Sequence, residues 1–288
     1  MKQIIRKYLK SLHEEYLFYN RTKAFEKRYK NVEKILFHNT LGNDIIKKYK
    51  DKWSVFGKKV EIDTFLLCYN LSGKIDYNIV PENLFVAIIE PTLNPYKELS
   101  FFSTKNVYEK WFSDSGIFPE TYFHKIGGVY YSQDFAIIGD LRTHLQKNNF
   151  RFPCILKPSR ETSGGANVKA VNSLEVLLSE MNNCNDLIVQ EMIEQHEYLN
   201  EINPGINSIR SCLYRTENGK YKVINNSIRF GIHGGLDNET AGGLVCNINI
   251  DGTLNDYAVN KYAVKHTVHP NSKIVFSDVT IPYYDELN

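Results

Sequence analysis

The chain has 288 residues, 42% of them hydrophobic and 24% charged, which is the composition of a folded globular protein rather than a disordered chain. Its net charge of +2 is small, and its five dispersed cysteines include no Cys-x-x-Cys pair, which argues against a disulfide framework and a zinc site. No run of about 18 apolar residues indicates a transmembrane segment. The charged amino terminus lacks the apolar core of a signal peptide, so we expect a cytoplasmic protein.

Positive charge is concentrated near the amino terminus. Residues 1–60 contain 16 Lys or Arg against 6 Asp or Glu, and the remaining residues are net acidic. Such a basic region is typical either of a solvated amphipathic helix packed on its own domain or of contact with nucleic acid, anionic lipid or an acidic partner.

Helical spacing of apolar residues from Gln3 to about Leu36 predicts one or two helices, with Asn20–Arg21 as a plausible break. A second helix is predicted over Asn43–Trp53. Two apolar runs between residues 60 and 90, FLLCYN and LFVAIIEP, have the character of strands or of buried helix ends.

From about Phe101 the pattern changes to mixed helices and strands. After residue 150 the number of strands favours an antiparallel-rich α+β region. The predicted helices are Lys105–Asp114, Gly139–Lys147 and Ser173 to about Met181; the predicted strands are Glu120–His124, GVYY, FPCILKPS, Asn167–Val171, Leu187–Ile193, Ser208–Tyr214, Tyr221–Arg229 and Leu244–Ile250.

A lysine and a glycine-rich turn form the first candidate site. Lys157 ends a predicted strand, and Gly164 and Gly165 begin the return strand. Glycine N–H groups can donate to phosphate oxygens at close approach, and the lysine ammonium adds a point charge. Taken alone, the pattern is equally typical of an ordinary hairpin.

Six segments, in order, give this sequence a resemblance to the ATP-grasp superfamily, and more closely to its sugar-transfer-associated branch. The resemblance covers roughly residues 75–286. The segments are PTLNPYKELSFFSTKNVYEKWF, FPETYFHKIGGVYYSQDF, FPCILKPSRETSGGANV, LIVQEMIEQHEYLNEINPGINSIR, GGLDNETAGGLVCNINIDGTL and IPYYDE.

The resemblance implies an ATP site built from several segments. Its nucleotide-binding residues would be Lys105 and Lys157 for the phosphates, Ser163, Gly164 and Gly165 for the flexible phosphate-covering loop, Gln190, Glu191 and Ile193 for the strand edge that recognises adenine, and Glu197 (or His196) for a ribose hydroxyl.

The resemblance also implies an acceptor cleft. Arg210, in a segment similar to the family's Asn-Thr-Ile-Arg, would be the catalytic clamp on an anionic acceptor or acyl-phosphate, because a guanidinium binds oxyanions bidentately. Asn207, Asp237 and Asn238 would line the same cleft. Structural alternatives remain: Lys105 as a surface residue at a helix start, Arg210 as an ion-pair partner, and Asp237–Asn238 as a turn only.

Magnesium is expected from the family, but the sequence offers no ligands for it. ATP-grasp enzymes hold Mg²⁺ with an Asp, a Glu and an Asn on late strands, which in this branch should follow the Pro-Tyr-aromatic-Asp-Glu motif. Here IPYYDE is followed only by Leu287 and Asn288, so we assign no metal ligand. The alternatives are a fragment, a site completed by a second polypeptide, or a nucleotide-binding relic.

These patterns predict an α+β ATP-grasp fold of two subdomains behind a helical region, with its carboxyl-terminal metal-binding strands missing. The predicted boundaries are a basic helical region at 1–60, a connecting segment at 61–100, a nucleotide-binding lid subdomain at 101–192 and a second subdomain at 193–288. The predicted function is ATP-dependent carboxylate–amine ligation through an acyl-phosphate, on a small or sugar-linked carboxylate, in cell-surface polysaccharide biosynthesis or modification. The alternative is an inactive or incomplete ATP-grasp fold that acts as a binding or scaffold subunit. Nucleic acid is not an expected partner.

Overall fold

The computed structural model describes residues 2–26, 32, 34–38, 40–95, 100–112, 118–148, 150–160, 165, 167–233, 237–238 and 242–287. Within these residues a group of helices precedes two five-stranded sheets, whose strand pairs are all antiparallel. This content confirms the predicted α+β class. No helix of this described part is long and apolar enough to cross a membrane.

The amino-terminal helices enclose a core of their own. They are Lys2–Glu26, Asn43–Trp53, Asp63–Ser72, Glu82–Leu84 and Glu90–Leu93, with a π-helical turn at Phe85–Ile89 and 3-10 turns at Lys34–Phe37 and Ser54–Phe56. In the core the rings of Tyr49 and Phe65 stack with centroids 4.2 Å apart, beside the buried Leu66 and Leu84. This apolar packing fixes the short helices, which are too short to be stable alone.

The first sheet carries helices on one face. Its strands are β1 (Thr121–Ile126), β2 (Val129–Ser132), β3 (Cys154–Pro158), β4 (Lys169–Val171) and β5 (Leu187–Glu191), in the order β2-β1-β5-β3-β4. Leu156 and Val189 pack on this face with Leu145 and Leu177, which belong to the helices Leu141–Lys147 and Leu174–Met181. Residues between these positions along β3 and β5 therefore face the other way. Preceding the sheet are 3-10 turns at Ser100–Ser103 and Lys105–Val107 and the helix Tyr108–Trp111.

The second sheet has its own core on one face and polar side chains on the other. Its strands are β6 (Ser208–Arg215), β7 (Tyr221–Phe230), β8 (Leu244–Ile248), β9 (Leu254–Val259) and β10 (Lys265–His266), in the order β10-β9-β8-β7-β6. The helix Glu197–Ile202 and the 3-10 turns Phe276–Asp278 and Tyr284–Leu287 complete this part. Ile228 and Cys246 are buried with Leu199 and Tyr284. The PYYDE motif thus contributes Tyr284 to the core of this sheet.

Several sequence predictions require correction. FLLCYN and LFVAIIEP are helical: the first lies in Asp63–Ser72, and the second runs through the π-helical turn. The first helix continues through Asn20–Arg21, where Arg21 Nη1 donates to Ala87 O at 3.0 Å and so ties the helix to the turn beneath it. The predicted strand Leu187–Ile193 ends at Glu191. Strands β9 and β10 were not predicted. The domain boundaries at residues 60, 100 and 192 stay a prediction.

Candidate functional site

Lys105 and Lys157 lie near each other at the end of β3, because the turn of Lys105 is bonded to Ser159, two residues after Lys157. Burial lowers the pKa of the Lys105 ammonium. Burial also lowers the pKa of Lys157, and the positive charge of Lys105 lowers it further. A partly buried ammonium group near a second cation favours the approach of an anion such as a polyphosphate. No described carboxylate forms an ion pair with Lys157.

Lys157 stands on the face of the first sheet that carries no helix. It lies directly across from Ile188 in the β3–β5 register, and Ile155 lies across from Gln190. Leu156, between the two β3 residues, faces the helices. On this face Ile188 is buried, whereas Ile155 and Lys157 are half-buried, with the Lys157 ammonium at the end of β3.

A short turn holds Lys105 against this face. The backbone N–H of Lys105 donates to Ser159 O at 2.9 Å, directly after β3. Its neighbour Asn106 is buried, and Asn106 Nδ2 lies 3.0 Å from His124 Nδ1 and donates to Leu187 O at 3.2 Å. Because these bonds reach β1, β3 and β5, the position of Lys105 is set by three strands of one sheet.

Burial lowers the pKa of His124, which favours the neutral ring. A neutral ring can accept at Nδ1 from Asn106, and a hydrogen bond with the backbone of Gln133 partly offsets the pKa shift. The ring of Phe135 stacks on His124 with centroids 4.6 Å apart. His124 thus supports the turn of Lys105 and is a positioning residue.

The phosphate-covering loop is described only in part. Ser163 and Gly164 lie outside the described residues. Gly165 has φ +72°, a left-handed conformation that favours glycine, and its carbonyl accepts from Val168 N at 3.1 Å in the turn before β4. The structure therefore places one of the three predicted loop residues in a tight turn beyond β3.

The predicted adenine-binding strand end divides into an occupied part and an exposed part. Gln190 Nε2 donates to Pro119 O and Thr121 Oγ1, at 3.2 and 3.0 Å, so this side chain is engaged in holding the start of β1. The backbone N–H of Glu191 donates to Glu120 O at 2.9 Å. Glu191 Oε1 accepts from Glu120 N at 2.8 Å.

The next three residues leave the sheet. Met192, Ile193 and Glu194 are exposed, and no hydrogen bond of their main chain is recorded within the described part of the chain. Their N–H and C=O groups are the ones at this strand end that could pair with a base edge. Of the three residues predicted for adenine, Ile193 is therefore the best placed.

Glu197 and Asn207 lie at the entry to the second sheet. Glu197 is exposed in the first turn of the helix Glu197–Ile202, which His196 caps by accepting from Tyr198 N at 3.2 Å. Asn207 is buried, and its Nδ2 donates to the backbone carbonyls of Leu199, Asn203 and Gly205. The Asn207 side chain therefore folds the loop before β6, whereas Glu197 is accessible to a ligand.

Arg210 lies on the polar face of the second sheet. Its neighbour Ile209 packs into the core, so Ser208 and Arg210 share the opposite face of the edge strand β6. Ser208 Oγ donates to Asp237 Oδ2. Arg210 is exposed. Asp237 is thus held near the start of β6, on the face from which Arg210 projects.

A glycine fixes the loop that carries Asp237 and Asn238. Gly243 N donates to Asn238 O at 2.9 Å, and a Cβ on Gly243 would lie 2.9 Å from the carbonyl carbon of Asp237 and from Phe230 O. A larger residue would push Asp237 away from Ser208.

Sequence reasoning missed the supporting residues of the site. Asn106 and His124 anchor Lys105, and Gln195 Oε1 accepts from Asn207 N at 2.6 Å. Their signal in the sequence is weak, because a polar residue inside a loop or strand does not reveal its partner. Asn106, directly after a predicted site lysine, was the one position at which a supporting role could have been suspected.

The described residues do not assemble a metal site. No group of three or more His, Cys, Asp or Glu side chains in the described part of the chain could hold a metal ion. Asp278 accepts from Ser277 Oγ at 3.4 Å in a 3-10 turn. The described residues therefore provide no set of ligands for magnesium.

A cavity of about 380 Å³ lies elsewhere, between the first two strands and the helix Leu141–Lys147. Tyr122, Asp134 and His144 contribute to its walls. It contains none of the predicted site residues. The lysine pair and this cavity are therefore separate features.

Comparison with known proteins identifies the second half of the chain. Residues 153–288 match the model of the family described as sugar-transfer associated ATP-grasp. The match includes β3 with Lys157, the whole second sheet and the PYYDE motif, whereas Lys105 lies before it. A search of curated proteins found none that matches this chain. Residues 153–288, slightly less than half of the chain, are thus similar to the sugar-transfer associated ATP-grasp family.

Proposed function

We propose that the chain binds ATP on the helix-free face of its first sheet and is the nucleotide-binding part of an ATP-dependent carboxylate–amine ligase. The family match supports an ATP-binding, ligase-like function. The observation that carries the proposal is the hydrogen bond from Lys105 N to Ser159 O, because it brings a second cation to the end of the strand that carries Lys157, whose pKa Lys105 lowers.

The proposed roles follow the geometry. Lys105 and Lys157 bind the phosphates, Gly165 turns the covering loop, and the main chain of Ile193 pairs with the adenine edge. The half-buried side chain of Ile155, on the same face as Lys157, packs against the base or ribose. ATP supplies the phosphoryl group that activates a carboxylate as an acyl-phosphate, which an amine then attacks. The chain contributes positioning and charge stabilisation rather than a nucleophile of its own.

Arg210 is proposed as the clamp for the acceptor carboxylate. It is exposed on a polar sheet face, and Asp237 is fixed nearby through Ser208. A guanidinium matches a carboxylate with two parallel hydrogen bonds. The acceptor is proposed to be a small or sugar-linked carboxylate of cell-surface polysaccharide assembly. The family description supports only the connection with sugar transfer.

The test is calorimetric titration of the chain with ATP, with and without Mg²⁺, beside Lys157→Ala. Lys222→Ala is the matched control, since Lys222 is an exposed lysine of the second sheet and the change in net charge is the same. We expect Lys157→Ala to weaken ATP binding by more than about tenfold, and to affect AMP less, because AMP lacks the outer phosphates. Equal losses in both variants, or no ATP binding at all, would refute the site.

Ligase activity needs a second readout. Release of ADP and phosphate is measured with ATP, Mg²⁺ and a panel of carboxylates and amines. Turnover that Arg210→Ala abolishes while ATP binding persists supports the proposed role of Arg210. ATP binding without turnover on any acceptor would contradict the ligase assignment and favour the inactive binding subunit.

A further inference from the structure

The first helix carries an exposed apolar stripe that the fold does not cover. At 100° per residue, as in an α-helix, the side chains of the stripe fall within an arc of about 100°. Each is between 48% and 64% exposed. The stripe consists of Ile5, Tyr8, Leu9, Leu12, Tyr16 and Tyr19.

A different face of the same helix attaches it to the protein. Phe18 packs against the core of the amino-terminal helices, and Arg21 Nη1 donates to Ala87 O at 3.0 Å. Glu15 forms an ion pair with Lys58. All three contacts lie in the second half of the helix. Phe18 and Arg21 are on the side turned away from the stripe, whereas Glu15 lies at its border. The stripe residues of the first half are exposed.

The charge around the stripe has one sign at its amino-terminal end. Residues 2–12 include four basic residues and no acidic one. Arg6 lies three residues before Leu9, and His13 four residues after it, so both flank one border of the stripe. An apolar arc beside basic side chains is the pattern of a helix that lies in the interface of an anionic membrane.

We propose that the helix Lys2–Glu26 docks on an anionic lipid surface through this stripe. The apolar side chains enter the boundary between headgroups and acyl chains, and the tyrosine hydroxyls stay at headgroup level. Arg6, at the border of the stripe, contacts lipid phosphates, and the other basic residues of the segment 2–12 add long-range attraction to the anionic surface. No helix of the described residues could span the membrane, so the chain lies on the surface.

Two other occupants fit less well. A coiled coil with a second copy would use Ile5, Leu9, Leu12, Tyr16 and Tyr19, but this a/d spacing lasts for only about two heptads, and two of its five positions are tyrosines whose hydroxyls would be buried. The basic first half of one copy would also meet like charge in a parallel dimer. A nucleic acid would engage the basic residues but leave the apolar stripe in water.

The test is co-sedimentation of the whole chain with vesicles of phosphatidylcholine, alone or mixed with phosphatidylglycerol. We expect binding to the anionic vesicles that weakens as salt rises, because salt screens the lipid charge. Leu9→Glu/Leu12→Glu should reduce binding by more than about tenfold. The matched control is Val55→Glu/Ile250→Glu, which makes the same charge change at side chains 81% and 95% exposed and should change binding by less than about twofold.

Circular dichroism serves as the control that both glutamate double variants are folded. Arg6→Gln/Lys10→Gln should weaken binding to the anionic vesicles and leave binding to the pure phosphatidylcholine vesicles unchanged. The proposal fails if the unaltered chain does not bind anionic vesicles at low salt, or if the two glutamate pairs reduce binding equally. It also fails if vesicles are not bound and Leu9→Glu/Leu12→Glu instead dissolves a dimer seen by ultracentrifugation. ATP titration of the same variants is expected to be unchanged, so this outcome is independent of the proposed nucleotide site.

Discussion

Lys157 is a residue whose placement opposes folding in the absence of a ligand. Its ammonium is partly buried beside a second cation, and both causes lower its pKa. Such a group is charged at neutral pH at a cost in folding free energy, because the unfolded chain holds the same proton more easily. A residue that costs stability and yet fits an anion is the signature expected of a binding site rather than of a structural lysine.

Lys157→Met should therefore stabilise the unliganded protein while abolishing nucleotide binding. Removing a partly buried charge and its repulsion from Lys105 should raise the free energy of unfolding at pH 7 by about 1 kcal/mol, or roughly 2–4 °C in Tm. The gain should shrink as pH rises through the lowered pKa of Lys157, since the wild-type lysine then loses its charge. Thermal unfolding at pH 7 and at alkaline pH measures this. A lower Tm for Lys157→Met at pH 7 would show that the side chain supports the fold.

At the scale of elements, the turn Lys105–Val107 depends on its second residue. Asn106→Ala removes the hydrogen bonds to His124 Nδ1 and Leu187 O and leaves both acceptors buried. We expect a loss of about 1–3 kcal/mol in urea unfolding and weaker binding of tripolyphosphate, because Lys105 loses its anchor. Asn148→Ala is the control: Asn148 is exposed at a helix end and should cost less than about 0.5 kcal/mol. Equal costs for both variants would contradict the anchoring role.

Elements with regular hydrophobic periodicity were predictable, and those defined by distant contacts were not. The helix Asn43–Trp53 was predicted with the bounds that the structure shows, because its amphipathic pattern is unbroken. The run FLLCYN in Asp63–Ser72 left strand and helix undecided, since a short apolar run fits either until packing decides. The short strand β10 has only two residues and no pattern to recognise.

Site residues were likewise predictable from local sequence patterns and not predictable where distant contacts define them. Lys157 and the glycine turn could be found from local sequence, and their order along the chain pointed to the family. That Lys105 lies near Lys157 could not be derived from spacing, because the position of Lys105 depends on hydrogen bonds from its neighbour Asn106 to two strands. The engaged side chains of Gln190 and Asn207 were likewise invisible in sequence, since their partners lie in other segments.

At the scale of the whole molecule, two buried histidines favour the neutral ring. His124 lies in β1 of the first sheet, and burial lowers its pKa. His269 lies after β10 and packs against Phe230 and Phe276 in the core of the second sheet. Burial, offset in part by its bond to Gly231 and reinforced by nearby basic groups, lowers its pKa too. His269 Nε2 lies 3.0 Å from Gly231 O, and its Nδ1 accepts from Ser272 N. The carbonyl can only accept, so the neutral ring must carry its proton on Nε2.

Acid should therefore destabilise both sheets below the ordinary histidine pKa of 6.5. Above that pH both states hold neutral rings, and no stability is lost. Below it the unfolded chain takes up protons that the folded rings refuse, so the free energy of unfolding falls until pH reaches the lowered pKa values. We expect Tm to drop between pH 7 and pH 5 more steeply in the wild type than in His124→Gln, whose amide oxygen can still accept from Asn106. His13→Gln, at an exposed position, should leave the slope unchanged.

If His124→Gln retains the full wild-type slope, the acid sensitivity of the first sheet arises elsewhere. If His124→Gln removes only part of that slope, the remainder is the contribution expected from His269. The double variant His124→Gln/His269→Gln should then have a nearly constant Tm over this range.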